Sequence, residues 1–315
     1  MKRKKIVITG GAGFIGSHIA EYWSNQNEDV VVLDNLRSGY KKNINGLSNV
    51  NFVEGSITNK ELVEEVVTNA DYVFHLAAMI SVPESVINPY ECVEINIIGL
   101  LNILEAAKKH SVKKIIHSSS AAVYGDNPES PKHTNMKPEP KSPYGITKLD
   151  GEYYLQMYKE NFGINTTSLR YFNVFGPRQD PKSQYAAAIP IFVASALKND
   201  DIIIYGDGEQ TRDFVYVKDV VQANILAATN DSLSGVFNVG NGYSISINKL
   251  VEMVLSLTES TSKIIYKEER AGDIKHSLAS IDDTKMNLKF SPQFDLLKGL
   301  EETINYFIAL FKQHN

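Results

Sequence analysis

A short apolar run, Ile6-Val7-Ile8, leads into three glycines three apart, Gly10, Gly13 and Gly16, and then into a stretch with helical spacing over 14–26. A second run, Val30-Val31-Val32-Leu33, ends in the carboxylate of Asp34. Apolar runs at 51–53, 72–76, 113–117 and 166–171 read as strands buried on both faces, whereas 93–110 and 144–161 repeat apolar residues at helical spacing. Strands and helices in alternation predict an α/β protein with a parallel sheet covered on both sides. After residue 171 the rhythm changes: helices are expected at 189–198, 219–229, 246–257 and 294–311, and short strands at 202–204 and 214–217. The run 236–239 reads as a strand that rejoins the sheet, so that a second region is interleaved with the first. Between them, 126–143 holds five prolines and no periodicity, and is expected to run over the surface before a helix that starts near Tyr144.

The glycines carry the first chemistry. In a strand–turn–helix setting, Gly10 permits the tight turn, Gly13 lets backbone approach a pyrophosphate, and Gly16 lets the helix pack against the strand. Asp34 falls near the ~20-residue offset at which an acid accepts hydrogen bonds from an adenosine ribose. The fold expected is therefore a Rossmann-type doubly wound parallel sheet with a smaller, interleaved α+β substrate-binding domain. A carboxylate at the ribose repels a 2′-phosphate and favours NAD over NADP, although Arg37, three residues on, is placed to neutralise such a phosphate. Tyr144 and Lys148 share a helix face at a spacing of four, with Ser120 upstream. The ammonium is expected to lower the phenol from its usual value near ~10, giving a base for oxidation of an alcohol beside a nicotinamide.

Composition narrows the classes. A chain of 315 residues exceeds one ordinary core, which predicts a nucleotide domain over 1–171, which later segments near 214–240 are expected to rejoin, and a discontinuous second domain over 172–315. The net charge of −5, with both signs scattered, offers no basic stripe for nucleic acid. Cys92 is the single cysteine, which excludes an internal disulfide and suits a reducing, cytoplasmic setting. The apolar run behind the basic N-terminus is too short for a signal peptide, and no segment approaches the ~20 apolar residues that span a bilayer. The seven histidines show no metal-ligand spacing, so no metal is expected. His75, at a strand end, reads as structural, as does Trp23. Apolar positions on 93–110 and 144–161 exceed what one sheet face needs, which predicts a homodimer through those helices.

Five motifs in order, Thr9-Gly10-Gly11-Ala12-Gly13-Phe14-Ile15-Gly16, His75-Leu76-Ala77-Ala78, Ser118-Ser119-Ser120 before Val123-Tyr124-Gly125, Ser142-Pro143-Tyr144-Gly145-Ile146-Thr147-Lys148 and Arg170-Tyr171-Phe172-Asn173-Val174-Phe175-Gly176-Pro177-Arg178, resemble an extended short-chain dehydrogenase/reductase. Within that superfamily the chain is most similar to the UDP-glucose and UDP-N-acetylglucosamine 4-epimerases; Gln184-Tyr185-Ala186-Ala187-Ala188-Ile189-Pro190 and Arg270-Ala271-Gly272-Asp273-Ile274-Lys275-His276-Ser277 resemble the acetylhexosamine type. The resemblance implies that Ser120, Tyr144 and Lys148 are catalytic. It implies cofactor contacts from Gly10, Gly13, Phe14, Ile15, Gly16, Asp34, Asn35, Ser38, Gly39, Ser56 and Ile57. Leu76, Ala77, Ala78, Asn96, Tyr171 and Phe172, with Tyr144 and Lys148, complete that set. For a UDP-sugar it implies Ser120, Tyr144, Asn173, Ala187, Ala188, Ile189, Tyr205, Arg212, Arg270, Asp273 and Ser277, the arginines on phosphates, where guanidinium binds in a bidentate fork.

By the same resemblance, Tyr144 takes the proton of the sugar 4-hydroxyl, Ser120 hydrogen-bonds to that oxygen, and the 4-keto sugar turns about its pyrophosphate before the hydride returns to the opposite face. Related dehydratases place an Asp-Glu pair just after the active-site Ser or Thr, and UDP-glucuronate decarboxylases a Glu at the second of those places; this chain has Ala121 and Ala122, which move no proton. A small residue at Ser277, where plain-hexose enzymes have a tyrosine, implies room for an acetamido group. Ser56 replaces the acid that usually receives the adenine amino group, which weakens that contact. Two other readings stay open here: a nucleotide-sugar 4-reductase with exchangeable NADPH, and a non-catalytic dinucleotide sensor.

Overall fold

The computed structural model describes residues 3–181, 187–269 and 274–312. Six strands follow the expected runs: β1 (Lys5–Thr9), β2 (Asp29–Asp34), β3 (Val50–Glu54), β4 (Tyr72–His75), β5 (Lys114–Ser120) and β6 (Asn165–Tyr171). With Gly235–Val239 they form one seven-stranded sheet, ordered β3-β2-β1-β4-β5-β6 and then Gly235–Val239, every pair parallel. The order reverses between β1 and β4, and a crevice opens at such a switch point beyond the carboxyl ends of the strands.

Ten α-helices are described: α1 (Phe14–Asn25), α2 (Lys60–Val67), α3 (Val82–Ile87), α4 (Pro89–Val93), α5 (Gly99–Lys109), α6 (Pro143–Phe162), α7 (Ala188–Lys198), α8 (Val217–Thr229), α9 (Ile247–Thr258) and α10 (Leu296–Lys312). Alternate residues of the strands feed two cores. Ile6, Ile8, Val32 and Phe74 pack on Ile19 and Trp23 of α1 and on Val220 and Ala223 of α8. Val7, Val73 and Ile115 pack on the other side, against Val63 and Val66 of α2, Leu100 and Leu104 of α5 and Leu155 of α6. A third core joins Phe192 of α7, Leu250 and Val254 of α9, and Leu300 and Phe307 of α10 to Phe175 and Tyr216.

Where the structure departs from the sequence expectation, local causes are visible. The helix read over 93–110 is α4, a π-helical turn at Glu94–Ile98, and α5. Asn96 sits in that turn with its amide drawn inward onto Met79, accepting from the backbone N–H at 2.7 Å and donating to the carbonyl at 3.1 Å. Gly99, just after it, leaves space for Ile57, whose Cδ1 a Cβ would meet at 2.4 Å. The stretch 126–143 does not simply cross the surface. Lys132 is buried; its N–H donates to the Leu278 carbonyl at 2.8 Å and its carbonyl accepts from Ser280 at 2.9 Å. Of the segments expected to rejoin the sheet, Gly235–Val239 pairs with β6, whereas Phe214–Tyr216 pairs in parallel with Asn173–Phe175 in a separate two-stranded ribbon.

Candidate active site

β1 ends in the glycine turn because Gly10 adopts φ +69°, which other residues resist, and because a Cβ there would lie 2.7 Å from the Ala77 nitrogen. At Gly16 a Cβ would lie 2.3 Å from the Gly10 carbonyl oxygen, so only glycine lets α1 start this close to the strand. Asp34 ends β2 almost fully buried, accepting from Leu36 N–H at 2.8 Å through Oδ1 and from Ala12 N–H at 2.9 Å through Oδ2. Burial pushes its carboxyl up and those backbone donors oppose the shift. Gly39 packs beside it, where a Cβ would meet Asp34 Oδ2 at 3.0 Å.

From this turn a cleft of about 700 Å³ runs to the end of β5 and the start of α6. Gly10, Gly13, Phe14, Ile15, Gly16, Asp34, Asn35, Ser38, Ser56 and Ile57 line one part; Leu76, Ala77, Ala78, Ser120, Tyr144, Lys148, Tyr171, Phe172 and Ala187 line the rest. Gly39 supports the cleft from behind the glycine turn, and Asn96 is committed to Met79 and Thr147. The sequence reading overlooked Tyr40, Ile80, Ile95, Gln179 and Asp180, which also line it. Tyr40 donates to Asp180 at 2.5 Å, bridging the loop after β2 and the stretch after Arg178.

A dinucleotide fits these residues: the glycine cradle has no Cβ to fill it, the carboxylate of Asp34 stands at the end of β2, and the cleft continues to the Tyr144 phenol. Arg37 also lines the cleft, with its guanidinium already paired to carboxylates. Its guanidinium forks between Glu84 of α3, at 2.7 Å, and Glu91 of α4, and these bonds, first Glu91 and then Glu84, raise it further above its ordinary value.

The chemical end of the cleft is set by α6. Ser142 caps it, its Oγ accepting from Gly145 N–H at 3.1 Å, and Pro143 opens the first turn. The Tyr144 N–H donates to Ser85 of α3 at 3.1 Å. One turn on, Lys148 is buried, donates to the Ser118 carbonyl at 2.8 Å, and holds its ammonium 5.7 Å from the Tyr144 ring centroid. The expectation that Lys148 makes the phenol acidic is corrected here. Burial pushes Tyr144 above its usual value, only the Ser120 hydroxyl opposing it significantly, and burial brings Lys148 itself down to about 8. At this separation, desolvation outweighs the ammonium. Ser120 Oγ also accepts from Ala122 N–H at 3.1 Å, in the turn Ala121–Tyr124.

Beneath the trio, Glu152 pairs with Arg170 at 2.9 and 2.7 Å and accepts from Ser119 at 2.5 Å, all buried. Arg170 stacks on Tyr124 at 4.7 Å, and the Tyr124 hydroxyl donates to Asn238 at 2.6 Å, placing that tyrosine in the core. Tyr171 keeps its ring at the cleft while its hydroxyl bonds Ser118 and Asn224, and burial pushes it up to about 12.

Of the residues assigned to a sugar nucleotide, Ser120, Tyr144 and Ala187 line the cleft. Asn173 opens the strand Asn173–Phe175, and Ala187 precedes Ala188 and the buried Ile189 at the start of α7. Tyr205 ends the strand Ile202–Tyr205, its carbonyl accepting from Gln210 at 2.7 Å. Arg212 donates to the Thr211 carbonyl at 2.9 Å, and the Ser277 N–H donates to the same carbonyl at 3.1 Å. Arg270, Asp273 and the 184–186 part of the acetylhexosamine-like stretch lie outside the described residues.

A doubly wound sheet, a dinucleotide cradle at its switch point and a Ser-Tyr-Lys set at the far end of one cleft define a nicotinamide-dependent enzyme. The NAD dependent epimerase/dehydratase family matches residues 6–240, and the chain belongs to it. It is similar to a UDP-N-acetylglucosamine 4-epimerase from Methanobrevibacter ruminantium M1, solved in complex with UDP-N-acetylmuramic acid, at 43% identity and a TM-score of 0.94, covering 98% of this chain and 100% of that one. A putative UDP-glucose 4-epimerase of Methanocaldococcus jannaschii is 41% identical over 96% of this chain and 97% of its own. A UDP-N-acetyl-alpha-D-glucosaminuronate decarboxylase of Bacillus cytotoxicus is 36% identical over 97% and 98%.

Proposed function

We propose that this protein inverts C4 of UDP-hexoses, interconverting UDP-GlcNAc with UDP-GalNAc and also UDP-Glc with UDP-Gal. One observation carries the reaction class: the cleft that joins the glycine cradle to Ser120, Tyr144 and Lys148 is followed at its chemical end by Ala121 and Ala122. Elimination of water needs an acid and a base there, and the decarboxylase-type residue is a glutamate. Alanines leave hydride transfer and its accompanying proton as the available chemistry, despite a decarboxylase among the relatives.

When bound, NAD would supply a hydride acceptor and donor for C4 and a positive charge within the cleft. Tyr144 holds the 4-hydroxyl proton while Ser120 steadies the same oxygen, and Lys148, fixed by Ser118, is placed for a ribose hydroxyl. Asn173, Tyr205 and Arg212, with Arg270 and Asp273, anchor the nucleotide, so that binding energy sits away from the carbon that must turn. The engaged Arg37 supports NAD over NADP, and against a 4-reductase.

Substrate size rests on Ser277 and on the acetylated UDP-sugar held by the Methanobrevibacter relative. Incubating the pure protein separately with UDP-GlcNAc and UDP-Glc, and resolving the products, should yield both 4-epimers with no net accumulation of NADH. Ser277→Tyr should lower kcat/KM for the acetamido sugar by about 10- to 100-fold more than for the plain one, as loss of pocket volume predicts. Equal loss for both would remove Ser277 from specificity.

A further inference from the structure

Asn173, Arg212 and Ser277, assigned above to the substrate, come from three separate stretches of chain, and one buried carboxylate, Asp213, adjoins or bonds each of those stretches. Asp213 is 0% exposed. Its Oδ1 accepts from Asn241 N–H at 2.7 Å, and its Oδ2 accepts from Gly242 N–H at 3.0 Å and Ala279 N–H at 3.1 Å. Its own carbonyl accepts from Asn173 twice, from the backbone N–H at 3.0 Å and from Nδ2 at 3.2 Å.

The segment that Asp213 grips at Ala279 is also held along its backbone edges, by the Asn238 amide on the Ser280 carbonyl at 3.1 Å, and by burial of Ala279 and Ile281 against Val123, Tyr124 and Phe172. Thr211 takes Ser277 N–H at 3.1 Å and donates to the Lys275 carbonyl at 2.9 Å, while Lys132 brackets Leu278 and Ser280 from the other side. The closeness of the grip shows at Gly240, where a Cβ would lie 2.6 Å from the Ala279 Cβ and 2.8 Å from Asp213 Oδ2. Burial pushes the Asp213 carboxyl up to about 6, with the three N–H groups as the opposing influence. A carboxylate has lone pairs enough for three converging donors; an amide has one oxygen and turns N–H groups toward the rest.

We propose that Asp213 is the positioning residue of the substrate site, docking the segment that carries Ser277 against the 240–242 turn and fixing it relative to Asn173 and Arg212 without touching the substrate. The inference rests on the UDP-sugar reading above. Its experiment uses the NAD-loaded protein, with UDP as the calorimetric probe and UDP-GlcNAc and UDP-Glc as substrates.

Asp213→Asn should weaken UDP binding and raise KM by about tenfold or more, as expected when buried donors lose their acceptor. Its kcat should stay within about threefold and its NAD content should match the parent's, because hydride and proton transfer occur on β5 and α6. UDP affinity and KM within twofold of the parent would overturn the proposal, as would a collapse of kcat at parental KM. If Asp213→Asn does not fold, Gly240→Ala is the second probe, since its methyl wedges the same contact; the same selective rise in KM is expected, and a folded variant with parental KM overturns the idea. A parent protein that fails to bind UDP at all defeats the functional reading instead, so the two failures are distinct.

Discussion

His75 and His117 stack in the core with ring centroids 5.7 Å apart, close enough to Lys148 to feel its charge. Thr9 Oγ1 bonds His75 Nδ1 at 2.8 Å, whereas both ring nitrogens of His117 lack a hydrogen-bond partner among the described residues. Burial, then Lys148, brings His75 down to about 3, and burial holds His117 well below its usual value too. Both rings are therefore neutral in the fold, while in the unfolded chain each takes a proton near ~6.5. Below that pH the unfolded state gains protons that the folded state refuses, so stability is intact above ~6.5 and falls toward the folded-state values. The slope is about 1.4 kcal/mol per pH unit for each ring. Calorimetry from pH 7 to pH 5 should show the melting temperature dropping by several degrees, and His117→Phe should remove about half of that drop. An unchanged slope in the variant would place the acid sensitivity elsewhere.

At the scale of elements, the glycine turn is the place where one added carbon has the largest effect. Gly16→Ala would drive a methyl into the Gly10 carbonyl at 2.3 Å and the Gly11 Cα at 2.8 Å, atoms of backbone that no rotamer change moves. Overpacking costs about 1–3 kcal/mol where side chains can yield, and more is expected here. The variant should melt lower and purify with little NAD, measured as nicotinamide released per chain; full loading would contradict the cradle. This turn was legible in the sequence because its logic is local: strand, three spaced glycines, helix, strand, acid. The same holds for Tyr144 and Lys148, one turn apart on α6. The π-helical turn at Glu94–Ile98 was not legible, because the apolar repeat continues through it and only the contact of Asn96 with Met79 reveals the insertion. Nor were the partners of Arg37, the burial of Lys132 or the grip of Asp213, since each joins residues distant in sequence, largely through main-chain atoms or loop side chains. The raised phenol of Tyr144 escaped for a related reason: spacing places a charge nearby, but burial decides what that charge is worth.

Across the whole molecule, about half of the exposed large apolar residues among the described ones lie on the stretch from α3 to α6. Tyr90 is 91% exposed and Ile87 70%, with Val86, Ile98, Ile146 and Tyr153 on the same group of elements. α3 and α4 both pack against α6, and a second copy of this chain is the partner proposed for the exposed apolar residues these helices carry. A stable pair needs about 1,200–2,000 Å² of buried surface in total, within reach of helices of this length. Light scattering behind size exclusion should find a dimer at micromolar concentration, and Tyr90→Glu combined with Tyr153→Glu should give a folded monomer; a parent that elutes as a monomer would reject the pairing. Ser85 gives this surface a further meaning. It lies buried on α3, directly before exposed Val86 and Ile87, and receives the main-chain N–H of Tyr144. The helix proposed to meet a second copy thus also holds the first turn of α6 at Tyr144, and in such a pair a single hydrogen bond would separate the seam from the backbone of the proposed base.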